Sequence, residues 1–560
     1  MPPLFHLDNY EECFDDPEEL YCTLDLTLVS EEPSPLLTMI QEYSEKPSTH
    51  FNHTILNQGI CIKKTCKEFY EPNKDLRLTL EACLNESLYN KHKLKARVSN
   101  GFDCSKREKH PPVDYIDLTI GIICLIILML NLIGSLCDSH LDRRKMPAVF
   151  RFVYHFSIFR SWKKLVASPS RDDRLLGLKG LHGIRTINVS LVITCHSLVT
   201  GVFLTVNPQY IEELLNDTGI HIILNGTLIM QTFFITSSFL LVYMFLIKSE
   251  GQEPSWKLLP MIVIRRWLRY LAADTQLYCM GAIIFLLCRS GLSRKIMLSL
   301  LFVVGMIIPA LHTYYQDLDG IMMITPPMAL TFFVNNPMFD NIYKRGHTNI
   351  TGYIVGMAIG YIFYDWQKTG GDYKKFQKYR YVYWCLIPLC VLCCYSGSIY
   401  FSDRPRLPTY VNVLYALLLK PVFCILMGLI IVGIVNRFEG LCSSILEWRP
   451  WTLLSRLSFC AYLMHVAIIR NTIAMQTTTQ MTTIPNNFLQ CAKIQLGSFI
   501  FAFFLHILVE APFGSLIQAI FTKFQTRAQD VKETDTTKIE DVKSPSKTYV
   551  PMNMEALTKL

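Results

Sequence analysis

The stretch "GIRTINVSLVITCHS", Gly183 to Ser197, places an arginine and a histidine, Arg185 and His196, 11 residues apart. That is about three helical turns, so the two side chains share one face with roughly 16 Å of rise between them. An ionisable side chain within a membrane is expensive and marks a functional position. A neutral imidazole there can take a hydroxyl proton as a general base, or accept a group itself. A histidine tying two helices together by a hydrogen bond explains His196 alone equally well, and the arginine on its face tips the balance towards chemistry. Arg266 and Arg269, in "RRWLR", share a face and could hold phosphates by charge-assisted hydrogen bonds, although ordinary positive-inside topology explains them without a ligand. Further along, "LSRLSFCAYLMH" brings Arg456, Tyr462 and His465, and "LVEAP" puts Glu510 in an apolar region, where it must find a partner or take up a proton. Asn225, Gln231, Ser237 and Ser238 polarise a third segment, where bonding between helices is the default role. No metal site and no bound cofactor is expected.

These residues need a bilayer to position them. The chain has 560 residues, 51% hydrophobic and 18% charged, with a mean hydropathy of +0.26; soluble domains carry about a quarter charged residues. Apolar runs between Tyr115 and Ile520 predict an all-α polytopic membrane protein of about 10 transmembrane helices. The spans fall near 113–137, 184–206, 225–247, 271–288, 296–313, 351–365, 381–398, 411–435, 456–474 and 494–521. Net charge is +8, which cytoplasmic loops rich in lysine and arginine explain without nucleic acid. The segment "AVFRFVYHFSIFRSWKKLV" reads as an interfacial helix.

Residues 1–112 form a small N-terminal domain of different character. Cys13, Cys22, Cys61, Cys66, Cys83 and Cys104 suggest three disulfides among 15 possible pairings. The sequons at Asn52 and Asn85 fit an extracellular or lumenal address, and a third at Asn216 falls in an outer loop. No signal peptide opens the chain, so either the first span translocates its own N-terminus or upstream residues are lacking. Residues 113–524 are the membrane domain, and 525–560 read as a disordered cytoplasmic tail.

Charge parity exposes an irregularity. With the N-terminus outside, Arg265 to Arg269 are cytoplasmic, yet simple alternation then sends every later basic cluster and the tail outside. One extra crossing between Arg269 and Arg289 reverses all of these assignments and also moves the sequon at Asn349 outside. The junction "RRWLRYLAADTQLY" therefore reads as two ends joined, with Asp274 and Gln276 at the outer start of a different helix.

Together "MPPLFHLDNYEECF", the R-x10-H pair, "TFFITSSFLLVY", "IRRWLR", "YLAADTQLY", "ITGYIVGMAIGYI", "LSRLSFCAYLMH" and "VEAP" resemble the nose resistant to fluoxetine-like proteins. These join a cysteine-rich outer domain to an acyltransferase type 3 membrane domain. The resemblance implies transfer of an acyl group, not an amino-acyl group, from a cytoplasmic donor such as acyl-CoA to a hydroxyl of a lipid or other acceptor. Arg185 and His196 would be its functional core, with Arg266 and Arg269 at the donor side and Asn225, Ser237, Asp274, His465 and Glu510 as further substrate- or donor-binding candidates. Membrane lipids and acyl-CoA are the expected partners, in the plasma membrane or endoplasmic reticulum. Several positions depart from the family: Gln231 replaces an aspartate, Ser237-Ser238 a Ser-Gly, and Asn349 and Gly352 an arginine and a proline. A helix and loop expected after Arg269 are missing, as in an exon-skipped or incomplete gene product; with a genuine junction, either residues 271–288 form a re-entrant hairpin or the second half is inverted, and inversion would leave this form inactive. A lipid or drug carrier, and a receptor working through residues 1–112, are the alternatives.

Overall fold

A computed structural model describes residues 1–520 except 17, 72–74, 100, 107–112, 142–146, 169–172, 218, 251–271, 372–374, 376–377 and 402–405. Arg266, Arg269, the junction that follows them and the tail 525–560 lie outside the described residues.

In the N-terminal domain, strand β2 (Tyr21–Val29) alternates buried and exposed residues, the period of a strand with one face in a core. It pairs antiparallel with β3 (Ile55–Cys61), β4 (Lys95–Val98) and β5 (Asp103–Ser105), while β1 (Phe5–Leu7) runs parallel to β3. Helix α1 (Pro35–Ser44) starts at the Ser34 cap and α2 (Leu76–His92) at the Asp75 cap, each side chain satisfying a backbone N–H that the helix leaves unpaired. Ile40 and Leu80 from these helices share one core with Leu24, Leu26, Leu28 and Leu56 of the sheet. The three expected disulfides form as Cys13–Cys61, Cys22–Cys104 and Cys66–Cys83. The disulfide-rich domain is thus a mixed sheet packed with helices.

A helix stands at each of the ten expected spans: α3 (Tyr115–His140), α5 (Gly180–Leu198), α7 (Ile229–Lys248), α8 (Ala272–Leu287), α9 (Gly291–Tyr315), α10 (Ile350–Lys368), α11 (Arg380–Tyr395), α12 (Thr409–Val435), α13 (Arg449–Ala474) and α14 (Ile484–Leu505). Among the described residues, seven helical stretches are long and apolar enough to cross a membrane: Tyr115–His140, His221–Ile247, Gly291–Tyr315, Arg380–Tyr400, Thr409–Val435, Arg449–Ala474 and Ile484–Ile520. The protein is therefore a multi-pass helical membrane protein. The apolar part of α8, Thr275–Leu287, is shorter. Helices α5 and α10 are less apolar for a physical reason: both are largely enclosed by other helices, where small and polar residues replace the apolar ones that lipid requires. At Gly356 of α10, a Cβ would overlap Ser238 Oγ and the Ile235 carbonyl of α7.

Two of the shorter helices make contacts that matter here. The basic, aromatic segment does form helix α4 (Ile158–Val166). It exposes Phe159 and Trp162, and Arg456 of α13 binds its end, Nη1 donating to the Lys164, Leu165 and Ala167 carbonyls at 3.0, 2.6 and 2.8 Å. A guanidinium on the last carbonyls of a helix also complements the helix dipole. Helix α6 (Pro208–Asn216) docks against the N-terminal domain, where Leu4, Phe5 and Phe51 pack on Ile211 and Leu215.

Candidate active site

Helix α5 packs along α13 and α14, and this contact brings two histidines together from distant parts of the chain. His196 Nδ1 lies 2.9 Å from His465 Nε2, with the rings near parallel and their centroids 5.1 Å apart. His465 is fully buried, and its Nδ1 lies 2.6 Å from the Tyr462 carbonyl oxygen.

These contacts assign the tautomers. A carbonyl only accepts, so His465 Nδ1 carries the proton and donates it, and in the neutral ring Nε2 is then an acceptor. His196 must in turn donate from Nδ1, and its Nε2 keeps a lone pair. The chain Tyr462 C=O, His465, His196 therefore presents one basic nitrogen of fixed orientation. It has the logic of a triad, with a backbone carbonyl and a second imidazole orienting the base.

Arg185 sits on the same helix, about 16 Å away along the axis, so the two side chains do not meet. At that end of α5, His182 Nδ1 lies 3.0 Å from Ser455 Oγ of α13. The two ends of α5 thus carry separate features, Arg185 and His182 at one and the half-buried His196 at the other.

The other expected residues scatter around this axis. Asn225 is buried, with Nδ2 donating to the Cys394 carbonyl at 3.0 Å; it anchors α11 and lines a cavity of about 30 Å³ with Tyr343 and Lys420. Ser237 lies on α7, next to Ser238, whose hydroxyl bonds back to the Phe234 carbonyl. Asp274 falls in the first turn of α8, its side chain outside the described residues. Glu510 is not at the histidine pair: it meets His506 and Cys460 on another face of α13.

Among the sequons, Asn52 is exposed and bonded to Thr54, Asn85 accepts from the Ala96 amide at 2.6 Å, and Asn216 is exposed at the end of α6. Asn349 is different. Its amide is buried and donates to the Tyr343 and Arg345 carbonyls at 3.1 and 2.7 Å, so this sequon cannot serve the parity count.

Two departures from the family pattern prove to be one. Gln231 Nε2 donates to Asn349 Oδ1 at 2.7 Å, and Lys420 Nζ donates to the same oxygen at 3.2 Å. Gly352 packs on Gln231, where a Cβ would lie 2.6 Å from its Oε1. The two positions that depart from the pattern the resemblance implies thus meet as an amide pair. Lys420 escaped the sequence reading, although a single lysine within the apolar helix Thr409–Val435 is the signal that marks such positions.

A curated protein of Caenorhabditis elegans, Nose resistant to fluoxetine protein 6, is similar to this chain: 20% identical over 559 residues, covering 83% of this chain and 67% of that protein. The chain spans about two thirds of that protein's length. No family model and no solved structure matches this chain.

Proposed function

We propose that the protein is a membrane O-acyltransferase in which His196 is the general base. The observation that carries this reading is the hydrogen-bonded His196–His465 pair, which leaves His196 Nε2 with a lone pair for an acceptor hydroxyl. In the transfer, Nε2 takes the hydroxyl proton as the oxygen attacks the thioester carbonyl of an acyl-CoA. The carbon–sulfur bond then breaks, and the departing thiolate recovers the proton, releasing CoA and an ester. His465 is a positioning residue: its bond to the Tyr462 carbonyl fixes the tautomer that aims the base. Arg185, at the far end of α5, holds the anionic donor at the cytoplasmic side, with Arg266 and Arg269 as further donor contacts.

A carrier would use the same polar interior without forming a product. Vesicles containing the purified protein, given labelled acyl-CoA and a panel of lipid and sterol acceptors, separate the two readings. Ester product with stoichiometric free CoA, lost in His196→Ala, supports transfer. Label crossing the bilayer as intact acyl-CoA, unaffected by His196→Ala, refutes it.

A further inference from the structure

On a different face of α13 from His465, about 140° around the helix, three side chains of another chemistry meet. Cys460 Sγ donates to Glu510 Oε2 at 3.2 Å, and His506 Nδ1 lies 2.6 Å from the same oxygen. The sulfur, the imidazole nitrogen and the carboxylate oxygen all fall within 4.8 Å of one another. We propose that Cys460, His506 and Glu510 bind a zinc ion inside the helix bundle.

The donor set selects the metal. Thiolate, imidazole and carboxylate in a cluster of this size match tetrahedral Zn²⁺, which takes sulfur at about 2.3 Å and nitrogen or oxygen at about 2.0–2.2 Å. Magnesium and calcium call for oxygen ligands alone. Three protein ligands leave the fourth position open, as in zinc sites that act on a bound ligand.

Charge gives a second reason. Cys460 is buried beside Leu165, Leu457, Ile494 and Ile507, a setting in which an ionised group must be neutralised. Zinc with one thiolate, one carboxylate and a neutral imidazole is an electroneutral assembly. On binding, the metal replaces the thiol proton, and the imidazole carries its remaining proton on Nε2.

The backbone is built to present the pair. His506 and Glu510 are one turn apart within a π-helical segment, His506–Glu510, a widened turn that recurs at functional sites. Asn131 of α3 reaches across to this turn, Nδ2 donating to the Leu508 carbonyl at 2.9 Å. The sequence concealed the cluster because Cys460 lies far from the H-x-x-x-E pair along the chain.

The full-length protein purified without chelator, its metal content measured by mass spectrometry, should carry about one zinc per chain. After exchange with cobalt(II) it should show a thiolate-to-cobalt charge-transfer band in the near ultraviolet. Cys460→Ser should abolish the band, His506→Gln and Glu510→Gln should weaken zinc binding at least tenfold, and Cys137→Ser, elsewhere in the bundle, should leave it intact. Wild-type protein with less than about a tenth of a zinc per chain and no cobalt band overturns the proposal, and that result needs no variant to fold. A cobalt band that survives Cys460→Ser overturns it as well.

Discussion

Replacing Glu212 by glutamine should loosen the N-terminal domain from the helices without unfolding it. The Glu212 carboxylate, 1% exposed, accepts from the Tyr43 hydroxyl at 2.7 Å, the Phe51 amide at 2.9 Å and His53 Nε2 at 2.8 Å. Burial alone would raise its pKa, but the bonds from His53, the Phe51 amide and Tyr43 outweigh it and hold the carboxyl below its ordinary 4.5. Hydrogen bonds to a charged acceptor contribute about 1 kcal/mol more than those to a neutral one, so three of them lose roughly 3 kcal/mol in the amide. At 1.4 kcal/mol per tenfold, local opening should rise about 100-fold. The apolar seam of Leu4, Phe5 and Phe51 on Ile211 and Leu215 remains, so the domains stay associated. Hydrogen exchange at the Phe51 amide reads this contact directly. It should quicken about 100-fold in Glu212→Gln while the paired amides of β2 and β3 keep their rates. Unchanged exchange at Phe51, or equal acceleration across the sheet, would refute the reasoning. Because the folded-state pKa is depressed, this stabilisation is complete above pH 4.5 and is lost as pH falls through the lower folded value. Wild type should thus show the same local opening in acid.

Three further outcomes follow from the packing. Replacing both Cys22 and Cys104, 82 residues apart in sequence, should cost about 4 kcal/mol through the entropy of the released loop, seen as a lower melting temperature of the N-terminal domain by circular dichroism. Gly356→Ala should force α10 off α7 and destabilise the bundle by about 2 kcal/mol or more, and adding Ser238→Ala should not restore it, because the Ile235 carbonyl still blocks the methyl; detergent unfolding curves decide. His465→Phe should lower kcat of acyl transfer about 100-fold or more with KM little changed, since it removes the acceptor that fixes the His196 tautomer.

The parts of this protein legible in its sequence are those in which chemistry interrupts a regular pattern. Arg185, His196 and His465 stand out because ionisable groups are rare in apolar helices, and seven of the ten expected spans fall in described helices long and apolar enough to cross a membrane. The meeting of His196 with His465 was not legible, since it depends on how α5 packs on α13. The alternation in Tyr21–Val29 is a plain strand signal, but the cysteines drew the reading towards disulfides and the sheet went unread. Asn349 misled because a sequon says nothing about burial. Nothing in the sequence sets Glu212 apart, and only its three donors reveal its role.

Release of CoA in a single turnover tests the central claim most directly, comparing wild type with His196→Gln at saturating acyl-CoA and acceptor. The account predicts that wild type forms ester and frees CoA, and that the variant falls by about 1,000-fold or more while keeping its disulfides and its exchange pattern. Turnover at the wild-type rate in His196→Gln would contradict it.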